Sequence, residues 1–168
     1  PARMPLCSGS ASATRAFIGL GSNVGNRVGH LRSALQQLRQ RPGMEVVATS
    51  RLYESSPMHI AEQPDYLNAV CELRTQLAPA ELLKALKILE ESSGRDLREA
   101  QQRRFGPRPL DLDILLYGDS SLDMVLPDGR ELTIPHPRMH QRAFVLRPLS
   151  DLDPELVPEA ADPQGELY

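Results

Sequence analysis

Asp111 and Asp113 stand two residues apart in an apolar run that reads Pro-Leu-Asp-Leu-Asp-Ile-Leu-Leu-Tyr and ends at Tyr117. In a β-strand, positions i and i+2 point to the same face, roughly 6.5–7 Å apart. Two hard oxygen ligands would then sit side by side on a rigid platform. Mg²⁺ takes one or two carboxylates, adds phosphate oxygens and keeps several waters. Just upstream lie Arg95, Arg98, Arg103, Arg104 and Arg108, set against only Asp96 and Glu99. A planar guanidinium grips phosphate oxygens two at a time. Pro107 and Pro109 bracket Arg108 and stiffen its backbone. An isolated Asp-x-Asp is by default a solvated strand face. Beside this arginine segment it reads as a site for a metal–polyphosphate. The same spacing recurs at Asp151-Leu152-Asp153, with no basic segment beside it and Pro154 next, and is expected to be a structural turn or cap.

Other segments carry weaker chemical signals. Gly19-Leu20-Gly21-Ser22-Asn23-Val24-Gly25 resembles a phosphate loop. It has Val where a dinucleotide fingerprint needs Gly, and no Gly-Lys-Ser/Thr follows. A tight strand-to-helix turn is the better reading. Tyr66 and Asn68 sit two apart, so an aromatic ring and an amide share a face; an amide can both donate and accept, which suits the edge of a heterocycle. The alternative is a core Tyr and an Asn bonded to backbone. Pro135-His136-Pro137-Arg138 through Phe144 adds two His, two Arg and an aromatic ring without a zinc-like ligand spacing. These are donors for phosphate, or else a proline-stiffened surface turn.

Elements that would position these residues follow from periodicity. Strands are expected at 15–20, 45–53, 66–75 and 110–117. Alternation along the last puts Leu110, Leu112, Ile114 and Leu116 on one face and Asp111, Asp113, Leu115 and Tyr117 on the other. Residues 27–40 predict a helix, with Val28, Leu31, Leu35 and Leu38 on one side and Asn26 as N-cap. Residues 79–93 predict a second, opening on Pro79 and closing at Gly94. The order β-α-β-β-α-β predicts an α+β, ferredoxin-like core: an antiparallel sheet with helices on one face. A short edge strand at 130–134 and a helix at 141–150 would follow, the helix covering the other sheet face to give a three-layer arrangement. Residues 94–109 are a longer connection than geometry requires, and such loops are usually functional or disordered.

Bulk numbers bound the rest. One domain is the default for 168 residues that are 40% apolar. Residues 1–14 are expected to be a disordered extension, 15–157 the functional domain and 158–168 an acidic tail. A net charge of −3 argues against a general nucleic-acid binder. Cys7 and Cys71 are too few for a disulfide scaffold, which fits a cytoplasmic setting. No apolar stretch approaches the roughly 20 residues that span a bilayer.

Taken in order, Gly-Leu-Gly-Ser-Asn, Gln63-Pro64-Asp65-Tyr66-Leu67-Asn68-Ala69, Gly106-Pro107-Arg108-Pro109-Leu110-Asp111-Leu112-Asp113-Ile114, and Pro135-His136 followed by Arg142-Ala143-Phe144 closely resemble the 6-hydroxymethyl-7,8-dihydropterin pyrophosphokinase family. The resemblance covers about residues 15–157. It implies transfer of pyrophosphate from ATP to the pterin hydroxymethyl group, with release of AMP and help from two Mg²⁺ ions. Asp111 and Asp113 would ligate both metals. Asn68 would read the pterin edge, Tyr66 and Phe144 would sandwich its ring, and the backbone near Ser55 and Met58 would complete the pocket. Arg95 and Arg108 would serve catalysis. Arg104, His136 and Arg142 would contact ATP, Phe105 would stack where the family often carries Trp, and Glu90 would face the nucleotide. The implied partners are these small molecules, with no nucleic acid or membrane, in a monomer. Lys87 and Pro137 depart from the family pattern, and the loop before Gly106 is longer than in short members. Competing classes are a ferredoxin-like RNA-binding module, whose aromatic signature is missing, and a catalytically silent nucleotide sensor, which loss of an Asp or of Arg108 would favour.

Overall fold

The structure, a computed structural model, describes residues 12–57, 62–94 and 106–158. Residues 1–11, most of the expected extension, and 159–168, all but the first residue of the expected tail, lie outside these.

Among the described residues the main sheet has five strands, of which β1 (Thr14–Ser22), β2 (Met44–Thr49), β4 (Tyr66–Thr75) and β5 (Asp111–Tyr117) run in the order β2-β4-β1-β5, every pairing antiparallel. A three-residue β3 (Tyr53–Ser55) pairs with the start of β4 beyond the end of β2. Sequence periodicity predicts a single strand from 45 to 53. The chain instead leaves the ladder at Ser50, whose hydroxyl, rather than a backbone carbonyl, accepts the Val70 N–H at 2.9 Å. A register shift between Val46 and Ala48 has already bent the strand. Arg51 is then free to reach Asp151 instead of continuing the ladder.

Helices α1 (Arg27–Gln40) and α2 (Pro79–Ser92) pack on one sheet face. Asn26 caps α1 by accepting the Gly29 N–H at 3.0 Å. Leu31, Ala34 and Leu38 are buried, whereas Val28, expected on the same stripe, is 44% exposed in the first turn. Helix α2 has Pro at its first turn, where no N–H is needed, and Glu81 reaches back to the Ala78 N–H at 3.1 Å. Its Leu82, Leu86 and Leu89 are almost fully buried, each contributing roughly 1.5–3 kcal/mol of hydrophobic stabilisation. Gly94 follows the cap with φ of 87°, a conformation open to glycine.

Helix α3 (Ala143–Leu152) buries Val145 and Leu149 with Phe17, Val70 and Leu115, residues that belong to a separate apolar cluster from that of α1 and α2. The expected edge strand is corrected. β7 (Glu131–Ile134) does not extend the main sheet but pairs with β6 (Leu122–Val125) in its own two-stranded sheet. The turn at Pro127-Asp128-Gly129 closes this hairpin, with Leu126 donating to Arg130 O at 2.8 Å.

The facing of β5 is corrected as well. Its register with β1 jumps, so that Ile18 pairs with Ile114 but Phe17 with Leu116. Leu115 is the extra residue of a β-bulge. Past it the alternation inverts: Leu116 joins Leu115 in the α3 cluster, and Tyr117 turns to the α1/α2 side, its hydroxyl donating to Leu77 O at 2.9 Å. Asp111 and Asp113 precede the bulge and keep their common face. Cys71 is fully buried in the core, and burial pushes its thiol pKa up to about 12.

Candidate active site

β1 presents Gly19 and Gly21 between its two neighbours. Gly21 pairs with Asn68 on β4 and with Asp111 on β5, and Gly19 pairs with Val70 and Asp113. Strands lie about 4.8 Å apart, so Asn68 and Asp111 are roughly 10 Å apart across a residue with no side chain. A methyl group at Gly21 would stand 3.6 Å from Asn68 Oδ1 and 3.9 Å from the Asp111 Cβ. The missing side chain leaves a cleft floor. Above it lies a cavity of about 320 Å³, within the ordinary range for small-molecule sites.

The acidic end is built from β5. Asp111 accepts a 2.7 Å hydrogen bond from Arg108, three residues before it. Burial draws the Arg108 guanidinium down in pKa, but the charge and hydrogen bond of Asp111 outweigh it, so the net shift is upward and the cation is secure. Asp113 accepts no hydrogen bond among the described residues and lines the cavity with Asp111.

His136, Arg138 and Arg142 line the same cavity, and His136 and Arg142 feel the charges of Asp111 and Asp113. His136 hangs from the edge of β5: its N–H donates to Leu115 O at 2.9 Å. Its Nδ1 accepts the Arg138 N–H at 3.2 Å, which leaves Nε2–H to donate into the cleft. Burial, the largest influence, and the nearby Arg142 lower the His136 pKa, so the imidazole is neutral at neutral pH. It can donate to a phosphate oxygen and add no charge. Burial also lowers the pKa of Arg142, against the pull of Asp113. Its guanidinium lies 5.6 Å from the Phe144 ring centre, so it steadies that aromatic wall.

The opposite end is built from β3 and β4. The Asn68 amide donates to Ser55 Oγ at 2.8 Å and to Tyr53 O at 3.4 Å. These bonds fix the plane of the amide. Its Oδ1 accepts no hydrogen bond from the described residues, and the residue is 6% exposed. Tyr66 and Phe144 line the same cavity.

The structure therefore brings Ser55, Tyr66, Asn68, Arg108, Asp111, Asp113, His136, Arg142 and Phe144 to one cavity. Met58, Arg95, Arg104 and Phe105 lie outside the described residues, as do Arg98 and Arg103. Glu90, expected to face the nucleotide, is not among the residues that line this cavity. It is fully buried on the α2 side of β5, where it accepts the Leu112 N–H at 2.8 Å. That bond runs from the edge of β5 to α2, which packs in the same apolar cluster as the Leu112 side chain, whereas Asp111 and Asp113 line the cavity.

Sequence reasoning misses Asn23, which is 1% exposed. Its Oδ1 accepts the Arg108 N–H at 2.7 Å, and its own N–H donates to Arg108 O at 3.1 Å. Its Nδ2 donates to Gln63 Oε1 and to Pro64 O, both at 3.2 Å. One side chain thus ties the Arg108 turn to the segment that leads into β4. The signal was present: three of the distinctive sequence blocks meet at this amide. Arg138, one of the donors that the Pro135–Phe144 segment offered, also lines the cavity.

The two carboxylates meet a simple test for Mg²⁺. No group of three or more His, Cys, Asp or Glu side chains arranged for a metal occurs among the described residues. Two carboxylates with open space before them leave the remaining positions to phosphate oxygens and water, the shell that Mg²⁺ prefers.

Comparison with known proteins agrees. Residues 17–154 match the family model "7,8-dihydro-6-hydroxymethylpterin-pyrophosphokinase (HPPK)". A 2-amino-4-hydroxy-6-hydroxymethyldihydropteridine pyrophosphokinase of Pseudomonas aeruginosa is 44% identical over 142 residues, 84% of this chain and 82% of that protein. The mitochondrial folate synthesis bifunctional protein of Arabidopsis thaliana is 47% identical over 135 residues, but this chain spans only 23% of its length. The Plasmodium falciparum HPPK-DHPS structure with pterin and p-hydroxybenzoate shares the fold at a TM-score of 0.66 and 16% identity, covering 86% of this chain and 40% of that one. The chain belongs to the 7,8-dihydro-6-hydroxymethylpterin-pyrophosphokinase family, diphosphotransferases that place pyrophosphate on hydroxymethyldihydropterin in folate biosynthesis.

Proposed function

We propose that this cleft carries out the family reaction, in which the hydroxymethyl oxygen of 6-hydroxymethyl-7,8-dihydropterin attacks the β-phosphorus of ATP. An O–Pβ bond forms as the hydroxyl gives up its proton to solvent, the bond from Pβ to the α,β-bridging oxygen breaks, and AMP leaves with that oxygen. The products are AMP and the pterin diphosphate. The observation that carries this reading is the register of β1: Gly21 sits between Asn68 and Asp111. A flat heterocycle read by Asn68 and held between Tyr66 and Phe144 would lay its substituent across the glycine toward the carboxylates.

Phosphoryl chemistry of this kind asks for positioning and charge neutralisation more than for covalent help. Asn68 orients the pterin. Arg108, Arg142 and the His136 Nε2–H bind polyphosphate oxygens, and Arg95 and Arg104 are assigned to the same clamp by the family resemblance. Asp111 and Asp113 would hold Mg²⁺, two ions in this proposal, which when bound supplies neutralisation of charge on the phosphates. Residues 15–157 form the catalytic domain, acting as a cytoplasmic monomer on small molecules. The strand order β2-β4-β1-β5, with α3 packed apart from α1 and α2, supports a ferredoxin-like three-layer arrangement.

Mass spectrometry of the chain incubated with Mg²⁺, ATP and the reduced hydroxymethylpterin tests this. AMP with a diphosphorylated pterin is expected. Unchanged ATP, or ADP with a monophosphorylated pterin, would contradict it.

A further inference from the structure

Among the described residues β5 is the last strand of the main sheet, with β1 as its one strand neighbour. Its outer edge therefore needs partners for backbone groups that would otherwise be left bare. At Leu112, the residue between the two cleft carboxylates, both groups are satisfied by side chains of α2. The Leu112 N–H donates to Glu90 Oε1 at 2.8 Å, and Leu112 O accepts from Lys87 Nζ at 3.1 Å. Lys87 and Glu90 close the triangle with a 2.6 Å ion pair, their side chains 17% and 0% exposed. Three residues on, the His136 N–H takes up Leu115 O.

A buried ion pair is a costly way to fill space, since burying two charges forfeits their hydration. An apolar pair would pack there but would leave Leu112 unbonded. What the charges supply is a donor and an acceptor at the spacing of a strand edge. We propose that Lys87 and Glu90 are positioning residues, a two-side-chain substitute for the missing strand that fixes the Leu112 peptide and so sets the separation and aim of Asp111 and Asp113. This inference rests on the reading of those aspartates as the Mg²⁺–polyphosphate ligands. It deepens that reading by assigning metal affinity to a pair that does not line the cavity.

Lys87→Met keeps the length of the side chain and removes its donors. It leaves the Glu90 carboxylate in place, so its effect does not come from deleting a contact between Glu90 and nucleotide. Because it strands a buried charge, the neutral pair Lys87→Met/Glu90→Gln is made beside it, along with Lys87→Gln, which restores an uncharged amide donor. Two quantities are read well below each variant's Tm. Amide hydrogen exchange without metal or substrate should quicken about tenfold at Leu112 in Lys87→Met, where Glu90, the acceptor of that N–H, loses the ion pair that holds it, and in the neutral pair, where an amide oxygen replaces the carboxylate, with the Val70 amide unchanged. The Mg²⁺ concentration for half-maximal turnover should rise about tenfold in both, at constant pterin KM, and should return toward wild type in Lys87→Gln. A lowered Tm with Leu112 exchange and the Mg²⁺ requirement both unmoved would overturn the proposal and leave the pair purely structural. Absence of Mg²⁺-dependent transfer in the wild-type chain would sink the functional reading instead. The substrate-free exchange result separates the two failures.

Discussion

Asp111-Leu112-Asp113 and Asp151-Leu152-Asp153 share a sequence and a spacing and do opposite things. The first triplet lies on a strand, so both carboxylates face one way and share a cavity. The second ends α3 and enters the following turn, where residues two apart diverge. Its charges are spent inside the molecule. Asp151 accepts from the backbone and guanidinium of Arg51 and from the Tyr53 hydroxyl at 2.9 Å. Asp153 accepts from Arg15 at 2.7 Å and from the Glu155 N–H at 3.2 Å, capping the turn that follows. In the first triplet Asp111 meets Arg108, and Asp113 accepts no hydrogen bond from the described residues. Ligand chemistry is set by what the surrounding elements leave unsatisfied, and the motif alone does not specify it.

The comparison breaks most visibly at Asp113. Asp113→Asn should lower kcat by about a thousandfold while pterin binding without ATP is kept. The matched Asp153→Asn should leave kcat at the wild-type value, and steady-state assays of the two side by side decide the matter. Arg108→Ala is expected to cost about a hundredfold in kcat/KM, with Asp111 losing its guanidinium partner as well. Next in size, Asn68→Ala should weaken pterin binding by about 2 kcal/mol, or about thirtyfold, as followed by titration of pterin fluorescence.

The smallest effect sharpens the contrast from the other side. The hydrogen bond from Arg51 is the chief reason that the Asp151 pKa lies below 3.8, against an opposing push from partial burial. A carboxylate with a depressed folded-state pKa stabilises the fold fully above its unfolded value and loses that contribution as pH falls through the folded one. Asp151→Asn should therefore lower Tm by a few degrees at pH 7, and the gap to wild type should close as the pH drops below 3.8. Turnover should be unaffected. A gap independent of pH would show that the charge on Asp151 contributes nothing.

Much of this was legible in the chain. The two long helices announce themselves through leucine spacing, Asn26, Pro79 and Gly94. The Asp-x-Asp pair and its arginines suggest metal and phosphate before any coordinates exist. Features that depend on register were not legible. The bulge at Leu115 reverses two side chains, and no residue type marks it, because it arises from how β1 and β5 meet. Ser50 ends β2 through a hydroxyl bond to a strand 20 residues away. The hairpin of β6 and β7 has enough β-branched and apolar residues to be read as an edge strand; only its partner shows otherwise. Asn23 looks like a turn residue until folding places it against Arg108 and Gln63. Lys87 and Glu90 read as an ordinary i,i+3 pair on a helix surface, and only the edge position of β5 makes them something else.

The central claim is that Asp113 and its neighbour hold the metal–triphosphate across Gly21 from the pterin. Phosphorus-31 NMR of ATP with 6-hydroxymethyl-7,8-dihydropterin and Mg²⁺ tests it most directly, run with the wild-type chain and with Asp113→Asn. The account predicts conversion of ATP to AMP and a pterin diphosphate by the wild type, abolished by chelating Mg²⁺, and no conversion by the variant at matched pterin occupancy. Wild-type rates from the variant, or conversion that continues in the chelator, would contradict it.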